Sequence, residues 1–163
     1  MKKLTGIFIL CCSSMLLKAQ ELHIKNDKIE RVLRAENKVW RTVKFASLDG
    51  KRVLSVKSDE FNILPINSNE TLSIADFETV GQPRMYHKGD TAFCQIIYKP
   101  LAQSLKNPAC PQNLTITYFA VNGQDFIRKK IRLSYNQAAT VDRLEVERFV
   151  NNKQQTGGGR GEP

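Results

Sequence analysis

The sequence predicts an all-β protein, an antiparallel β-sandwich. Three observations lead there. No window after residue 19 keeps a 3.6-residue apolar period over three turns. Short runs rich in Val, Ile, Phe and Tyr recur instead. Asp-Gly and Asn-Gly pairs fall between these runs, and such pairs suit type I′ hairpins, which need positive φ at both central residues. Many short strands with tight turns and no crossover helices make an antiparallel sandwich. The chain has 163 residues, 41% of them hydrophobic, with nine Gly and six Pro. That composition supports one core and excludes a collagen-like fibre, a disordered chain and a large two-domain enzyme.

Residues 1–19 read as a secretory signal peptide. Met1-Lys2-Lys3 is basic, residues 5–17 are apolar, and Ala19 is small at the expected cut. Leu17 is larger than usual for its place before the cut, and Cys11 and Cys12 follow too short an apolar region for a lipoprotein signal. The apolar run is far shorter than the ~20 residues that span a bilayer. The protein is therefore expected in the periplasm or outside the cell, with no membrane span after cleavage. Loss of Lys2, Lys3 and Lys18 lowers the net charge from +9 to +6.

Strands are expected near 21–25, 28–35, 38–46, 51–57, 60–66, 72–79, 91–99, 113–121, 125–135 and 141–150. Turns are expected at Asn26-Asp27, Asp49-Gly50, Lys88-Gly89-Asp90 and Asn122-Gly123. On 38–46, Val39, Val43 and Phe45 share a face and Trp40 takes the other. Strand 92–98 is apolar on both faces, which predicts a central strand covered on both sides.

The C-terminal third allows a register. A two-residue turn at Asn122-Gly123 sets Phe119 opposite Phe126 and Tyr118 opposite Ile127. Leu114, Ile116, Tyr118, Ala120, Ile127, Ile131 and Leu133 then share one face, and Arg128, Lys130 and Arg132 the other. A further turn around Gln137-Ala138 sets Lys130 opposite Glu145 and Arg128 opposite Glu147. Lys129 is the exception: a cation on the apolar face, either snorkelling at an edge or reaching a partner.

Few groups point to chemistry. The run Arg128-Lys129-Lys130-Ile131-Arg132 is basic, but cross-strand pairing with Glu145 and Glu147 accounts for it, and no nucleic-acid motif accompanies it. Gly157-Gly158-Gly159-Arg160-Gly161 lacks the Gly-Lys-Ser/Thr ending of a phosphate loop and reads as a connector. His23 and His87 lie in no metal-ligand spacing. Asp59 and Glu60 are strand neighbours that point to opposite faces, and Asp76 stands apart, so no acid pair converges for glycoside cleavage. Trp40, the one Trp, is a candidate carbohydrate contact, against a role in covering a second packing layer. Cys94 and Cys110 remain after signal cleavage and are a candidate disulfide, although the register does not place them opposite each other. Asn69 and Asn113 fit the glycosylation pattern. No cofactor or metal is expected.

Three stretches together resemble a family. They run from Ile24 to Arg31 with Val39-Trp40-Arg41-Thr42, from Ser58 to Ile63 with Leu72 to Phe77, and from Phe126 to Leu133 with Ala139 to Phe149. Their order and spacing are similar to those of the N-terminal β-sandwich in secreted glycoside hydrolases of the α-galactosidase (melibiase) kind. The resemblance implies a galactose-mutarotase-like supersandwich, followed in the family by a (β/α)₈ barrel that holds the catalytic aspartates. The family's catalytic residues have no counterparts here. With the signal peptide over 1–19, the expected organisation is a sandwich over 20–152, which the resemblance implies is incomplete at its C-terminal end, and a Gly-rich connector or truncated next segment over 153–163. The chain is expected to be non-catalytic, with the barrel as its missing partner and carbohydrate as the parent enzyme's substrate. The alternative is a stand-alone exported module that binds carbohydrate or a surface partner.

Overall fold

The computed structural model describes residues 20–66 and 70–150. The expected signal peptide, the Gly-rich connector and Asn69 lie outside the described residues. Fourteen strands and two 3-10 turns make up the described residues, with no α-helix. Every strand pairing is antiparallel. No helix of the described residues is long and apolar enough to cross a membrane.

The first sheet joins β1 (Glu21–Lys25), β2 (Ile29–Glu36), β3 (Val39–Ser47) and β4 (Val53–Ser55) in sequence order. The β2–β3 hairpin turns on Asn37 and Lys38, both at positive φ (48° and 67°), as a type I′ turn requires. The register shifts between Val32 and Leu33 because β3 carries an extra residue there, Val43, a bulge that bends β3. Two short sheets follow. β5 (Lys57–Asp59) pairs with β14 (Arg148–Val150), and β6 (Asn62–Pro65) pairs with β7 (Leu72–Ser73) and β13 (Val141–Glu145). The segment expected as one strand over 72–79 is interrupted by a 3-10 turn, Ile74–Asp76. Ser73 and Asp76 close that turn as a capping box, so local side-chain bonding overrides the extended pattern. β8 (Phe77–Thr79) resumes the strand.

The largest sheet runs β12 (Ile127–Ser134), β11 (Asn113–Val121), β10 (Thr91–Pro100), with β8 and β9 (Arg84–Lys88) both on the far side of β10. Its inner face buries Ala92, Cys94, Ile96, Tyr98, Leu114, Ile116, Tyr118 and Ala120. Ile24, Leu33, Val39 and Trp40 of the first sheet, with Phe61, Ile63, Leu72, Ile74 and Phe77, complete the same core. A core residue is worth about 1.5–3 kcal/mol of burial, so this shared layer is the main stabilising term.

Three expectations are corrected. β10 is central, but its outer face is open: Phe93 is half-buried and Ile97 is 42% exposed. The ladder between β11 and β12 starts at Ala120 opposite Ile127, so Phe119 faces Arg128 and Tyr118 faces Lys129. The connection is longer than a two-residue turn, and the register moves by two residues; an even shift keeps every side chain on its expected face. Segment 141–150 is two strands, and neither meets β12. Leu144 lands opposite Ile63 and Phe149 opposite Ser58, which places Glu145 and Glu147 far from the outer face of β12.

The two turn signals Asn26-Asp27 and Asn122-Gly123 meet in space. The Asn26 side-chain oxygen accepts from the backbone N–H groups of Lys28 and Ile29, each at 2.9 Å. Its amide donates to the carbonyls of Val121 and Gln124, each at 2.7 Å. Asp27 accepts from the Gly123 N–H at 2.7 Å. One side chain thus ties the first hairpin to the β11–β12 connection. Asn26→Ala removes four hydrogen bonds at once and is expected to cost about 2–3 kcal/mol, read from the urea midpoint at unchanged slope. A change below about 0.5 kcal/mol, the range of ordinary surface substitutions, would contradict the clamp.

Candidate functional site

Two places concentrate chemistry. The first is a charged cluster inside the sandwich. Glu60 lies in the link between β5 and β6 and is fully buried. One carboxylate oxygen accepts from the Thr42 N–H at 2.6 Å and the Thr42 hydroxyl at 2.7 Å. The other accepts from Lys129 Nζ at 2.6 Å, Arg31 Nη2 at 3.1 Å and the Tyr118 hydroxyl. Lys129 Nζ also donates to the Glu60 carbonyl. Arg31 is itself 2% exposed and donates to both carboxylate oxygens of Glu147. Its Nε donates to the Thr42 hydroxyl at 2.8 Å. Its guanidinium lies 4.5 Å from the Tyr118 ring centre and 5.1 Å from that of Phe45. Two carboxylates and two cations leave the cluster neutral.

Burial alone would raise the Glu60 carboxyl, but the Lys129 and Arg31 charges outweigh it and bring it down to about 2. Burial lowers the Lys129 ammonium, against Glu60 and Glu147, which hold its proton on. Burial also acts first on Arg31, yet Tyr118, Glu60 and Glu147 raise it overall. An acid held this low, with every oxygen occupied, is a poor proton donor at neutral pH. The cluster is built to brace the fold. Lys129 is the residue whose place on the apolar face had no assigned partner; Glu60 is that partner.

The second place is the outer face of the β9–β12 sheet. The registers align Tyr86, Phe93, Phe119 and Arg128 in one row across four strands. They align Arg84, Gln95, Thr117 and Lys130 in the next, and Ile97, Thr115 and Arg132 in the third. Tyr86 and Phe93 stack in parallel, 4.8 Å apart with 1° between planes, and Phe119 meets Phe93 edge-on at 5.6 Å. A shallow cavity of about 190 Å³ lies between Tyr86 and Phe119 on one side and Lys130 and Arg132 on another, over Gln95 and Thr117. β9 was not foreseen from the sequence, so Tyr86 was missed. Its strand is exposed at four of five positions, and no buried side imprints an alternating pattern.

The residues singled out from sequence lie elsewhere. Trp40 is 4% exposed and packs in the core, where the Tyr98 hydroxyl reaches its carbonyl at 3.4 Å. Its burial in the core corrects its reading as a carbohydrate contact, since the ring is withdrawn from solvent. Cys94 and Cys110 are free thiols, which corrects the candidate disulfide. Cys94 lies four residues, roughly 13 Å of strand, from Tyr98; Cys110 belongs to the loop preceding Leu114, the partner of Tyr98. Burial pushes the Cys94 thiol up to about 12 and the Cys110 thiol up to about 11. Asp59 pairs with Arg41 at 2.8 Å, and Asp76 accepts from Ser73 and Ser104. His23 bonds Glu30 at 2.9 Å, and His87 lies exposed on β9. Among the described residues, no three His, Cys, Asp or Glu converge as a metal site.

Comparison with family models, with curated proteins and with solved structures finds no match to this chain.

The Glu60 carboxyl generates a pH dependence with a definite sign. Its value is depressed in the fold, so its contribution is complete above the ordinary 4.5 and is lost as pH falls toward about 2. The shift corresponds to about 3 kcal/mol. Carbon-13 NMR of the Glu60 carboxyl is expected to show the ionised form persisting until the pH approaches 2, while unfolding stability declines over the same window. A midpoint at or above 4.5 would show that the cluster does not hold the charge.

Proposed function

We propose that the chain is the non-catalytic N-terminal β-sandwich of an exported glycoside hydrolase of the α-galactosidase kind, acting in the periplasm or outside the cell. The observation that carries the non-catalytic part is the fate of the inner carboxylates. Glycoside cleavage by an acid pair needs one protonated carboxyl and one carboxylate flanking the bond, about 5–9.5 Å apart, with the sugar between them. Here Glu60 and Glu147 converge instead on Arg31 and Lys129, and Glu60 is sealed from solvent. Nothing can be placed between them without breaking the core. The antiparallel sandwich supports the accessory-domain reading, and the glycosidase assignment rests on the resemblance of the residues between Ile24 and Phe149. In this reading the chemistry belongs to a barrel that follows the sandwich, and carbohydrate is the parent enzyme's substrate.

A stand-alone exported carbohydrate-binding module is the second reading. The row Tyr86–Phe93–Phe119 beside Gln95 and Thr117 favours it, since amides and hydroxyls meet sugar hydroxyls alongside an apolar ridge.

Two measurements test the proposal. The purified chain is expected to release no aryl product from an aryl α-galactoside, and turnover abolished by Glu60→Gln in a folded variant would overturn the non-catalytic reading. Sequencing the transcript past codon 163 is expected to show a continuous frame with alternating strand and helix patterns. A stop followed by unrelated sequence would contradict the accessory-domain reading in favour of the stand-alone module.

A further inference from the structure

β9, β10, β11 and β12 together hold seven Lys or Arg residues and no Asp or Glu. Lys129 points inward to Glu60, and Lys99 pairs with Glu78. Arg84, Lys88, Arg128, Lys130 and Arg132 make no ion pair among the described residues. Elsewhere Arg34 pairs with Glu21, Lys38 with Glu78, Arg41 with Asp59 and Lys44 with Glu30, while Lys25, Arg52, Lys57, Lys106 and Arg148 are scattered without an ion pair among the described residues. Five of the ten cations without an ion pair among the described residues thus lie on this one sheet face. They lie around an aromatic row and a row of neutral hydrogen-bonding groups.

We infer that the outer face of the β9–β12 sheet is a binding site for an acidic oligosaccharide, with uronate carboxylates held by Lys130, Arg132 and Arg84. The inference deepens the binding-module reading above and does not depend on the glycosidase one. Charge complementarity selects an anion, because the five unpaired charges on β9–β12 are all cations, while Glu78 on neighbouring β8 is held by Lys99 and Lys38. The aromatic row borders the polar row as an apolar ridge, since Tyr86 and Phe93 stack on each other and Phe119 meets Phe93 edge-on. Gln95, Thr115 and Thr117 supply amide and hydroxyl groups at the centre of the face, where a sugar presents hydroxyls. The cavity of about 190 Å³ is smaller than the ~300–1,000 Å³ of drug-sized sites and suits one ring of a longer chain lying across the strands. Arg84 and Lys130 flank the polar row at opposite ends, three strand spacings apart, or roughly 14 Å, so one chain can meet both.

Single-stranded nucleic acid fits less well. Such sites offer successive bases separate open ring faces. Here Tyr86 and Phe93 cover each other and Phe119 stands edge-on to Phe93. Arg84 lies over Tyr86, with its guanidinium 5.2 Å from the ring centre. No series of free platforms remains.

The test is calorimetric titration of the full chain at physiological salt with a galacturonate hexasaccharide. A neutral galactose hexasaccharide, an oligothymidylate and a polyglutamate peptide serve as the other arms. The galacturonate oligomer is expected to bind at least about tenfold tighter than each of the others, one such charged contact being worth about one decade. Lys130→Gln with Arg132→Gln is expected to abolish the preference, and raised salt to weaken binding. Phe119→Ala is expected to weaken acidic and neutral sugars alike. Equal binding of the neutral oligomer would overturn the acidic class while leaving the binding module. Equal or tighter binding of the oligothymidylate or the peptide would overturn the sugar in favour of that polyanion. No sugar binding by a chain that melts cooperatively would overturn both the inference and the module. Since Lys130 and Arg132 are exposed, their variants are expected to keep the parent melting temperature.

Discussion

The structure turns on the contact between Glu60 and Lys129 inside the sandwich. Burying a charge without a partner costs several kcal/mol, so Glu60 can occupy the core only if Arg31, Lys129, Thr42 and Tyr118 all arrive. Those residues come from β2, β12, β3 and β11, and Glu147 joins from the turn between β13 and β14. A set of apolar side chains of similar volume could be equally stabilising. What the polar cluster adds is discrimination. Apolar alternation fixes a register only to within two residues, because a shift of two leaves every side chain on its face. A shift of two along β12 would move Lys129 off Tyr118 and bring Ile127 or Ile131 toward a buried carboxylate. The charges therefore set the absolute register that the apolar pattern leaves open.

That division explains what could be read in the sequence. The inner and outer faces of β11 and β12 were legible, since strict alternation survives through both, whereas β10 is apolar on both sides in sequence and its open outer face was not. The pairing of β12 was not. Extrapolation from Asn122-Gly123 gave the right faces with partners two residues away, as expected where only periodicity speaks. Lys129 was the visible flag, a cation among apolar neighbours. Arg31 and Glu60 carried no such flag. Arg31 lies beside the place where β3 carries the extra residue Val43 and the β2–β3 pairing shifts, and Glu60 lies between two short strands, so neither belonged to an unbroken pairing that could assign it a side. The breaks at Ile74–Asp76 and between β13 and β14 arise from capping and from a change of partner, which apolar content does not report.

The same rearrangement links core and surface. Had segment 141–150 paired with β12, Glu145 and Glu147 would have neutralised Lys130 and Arg128. Instead Glu145 bonds Asn62 and Arg143, and Glu147 turns inward to Arg31. The acids that complete the interior are thus withdrawn from the outer sheet, whose cations are left facing solvent around Tyr86, Phe93 and Phe119. Five unpaired cations on one face give it a local positive field that attracts anionic partners.

The direct measurement of the central claim is a double-mutant cycle between Glu60→Gln and Lys129→Met, by urea unfolding at neutral pH. If the two groups hold each other in the core, each single variant leaves an uncompensated buried charge in the cluster, and the double variant is less destabilised than the sum by about 1.5–3 kcal/mol. Additive losses, with a coupling below about 0.5 kcal/mol, would show that the register is set elsewhere and that the cluster is incidental to the fold.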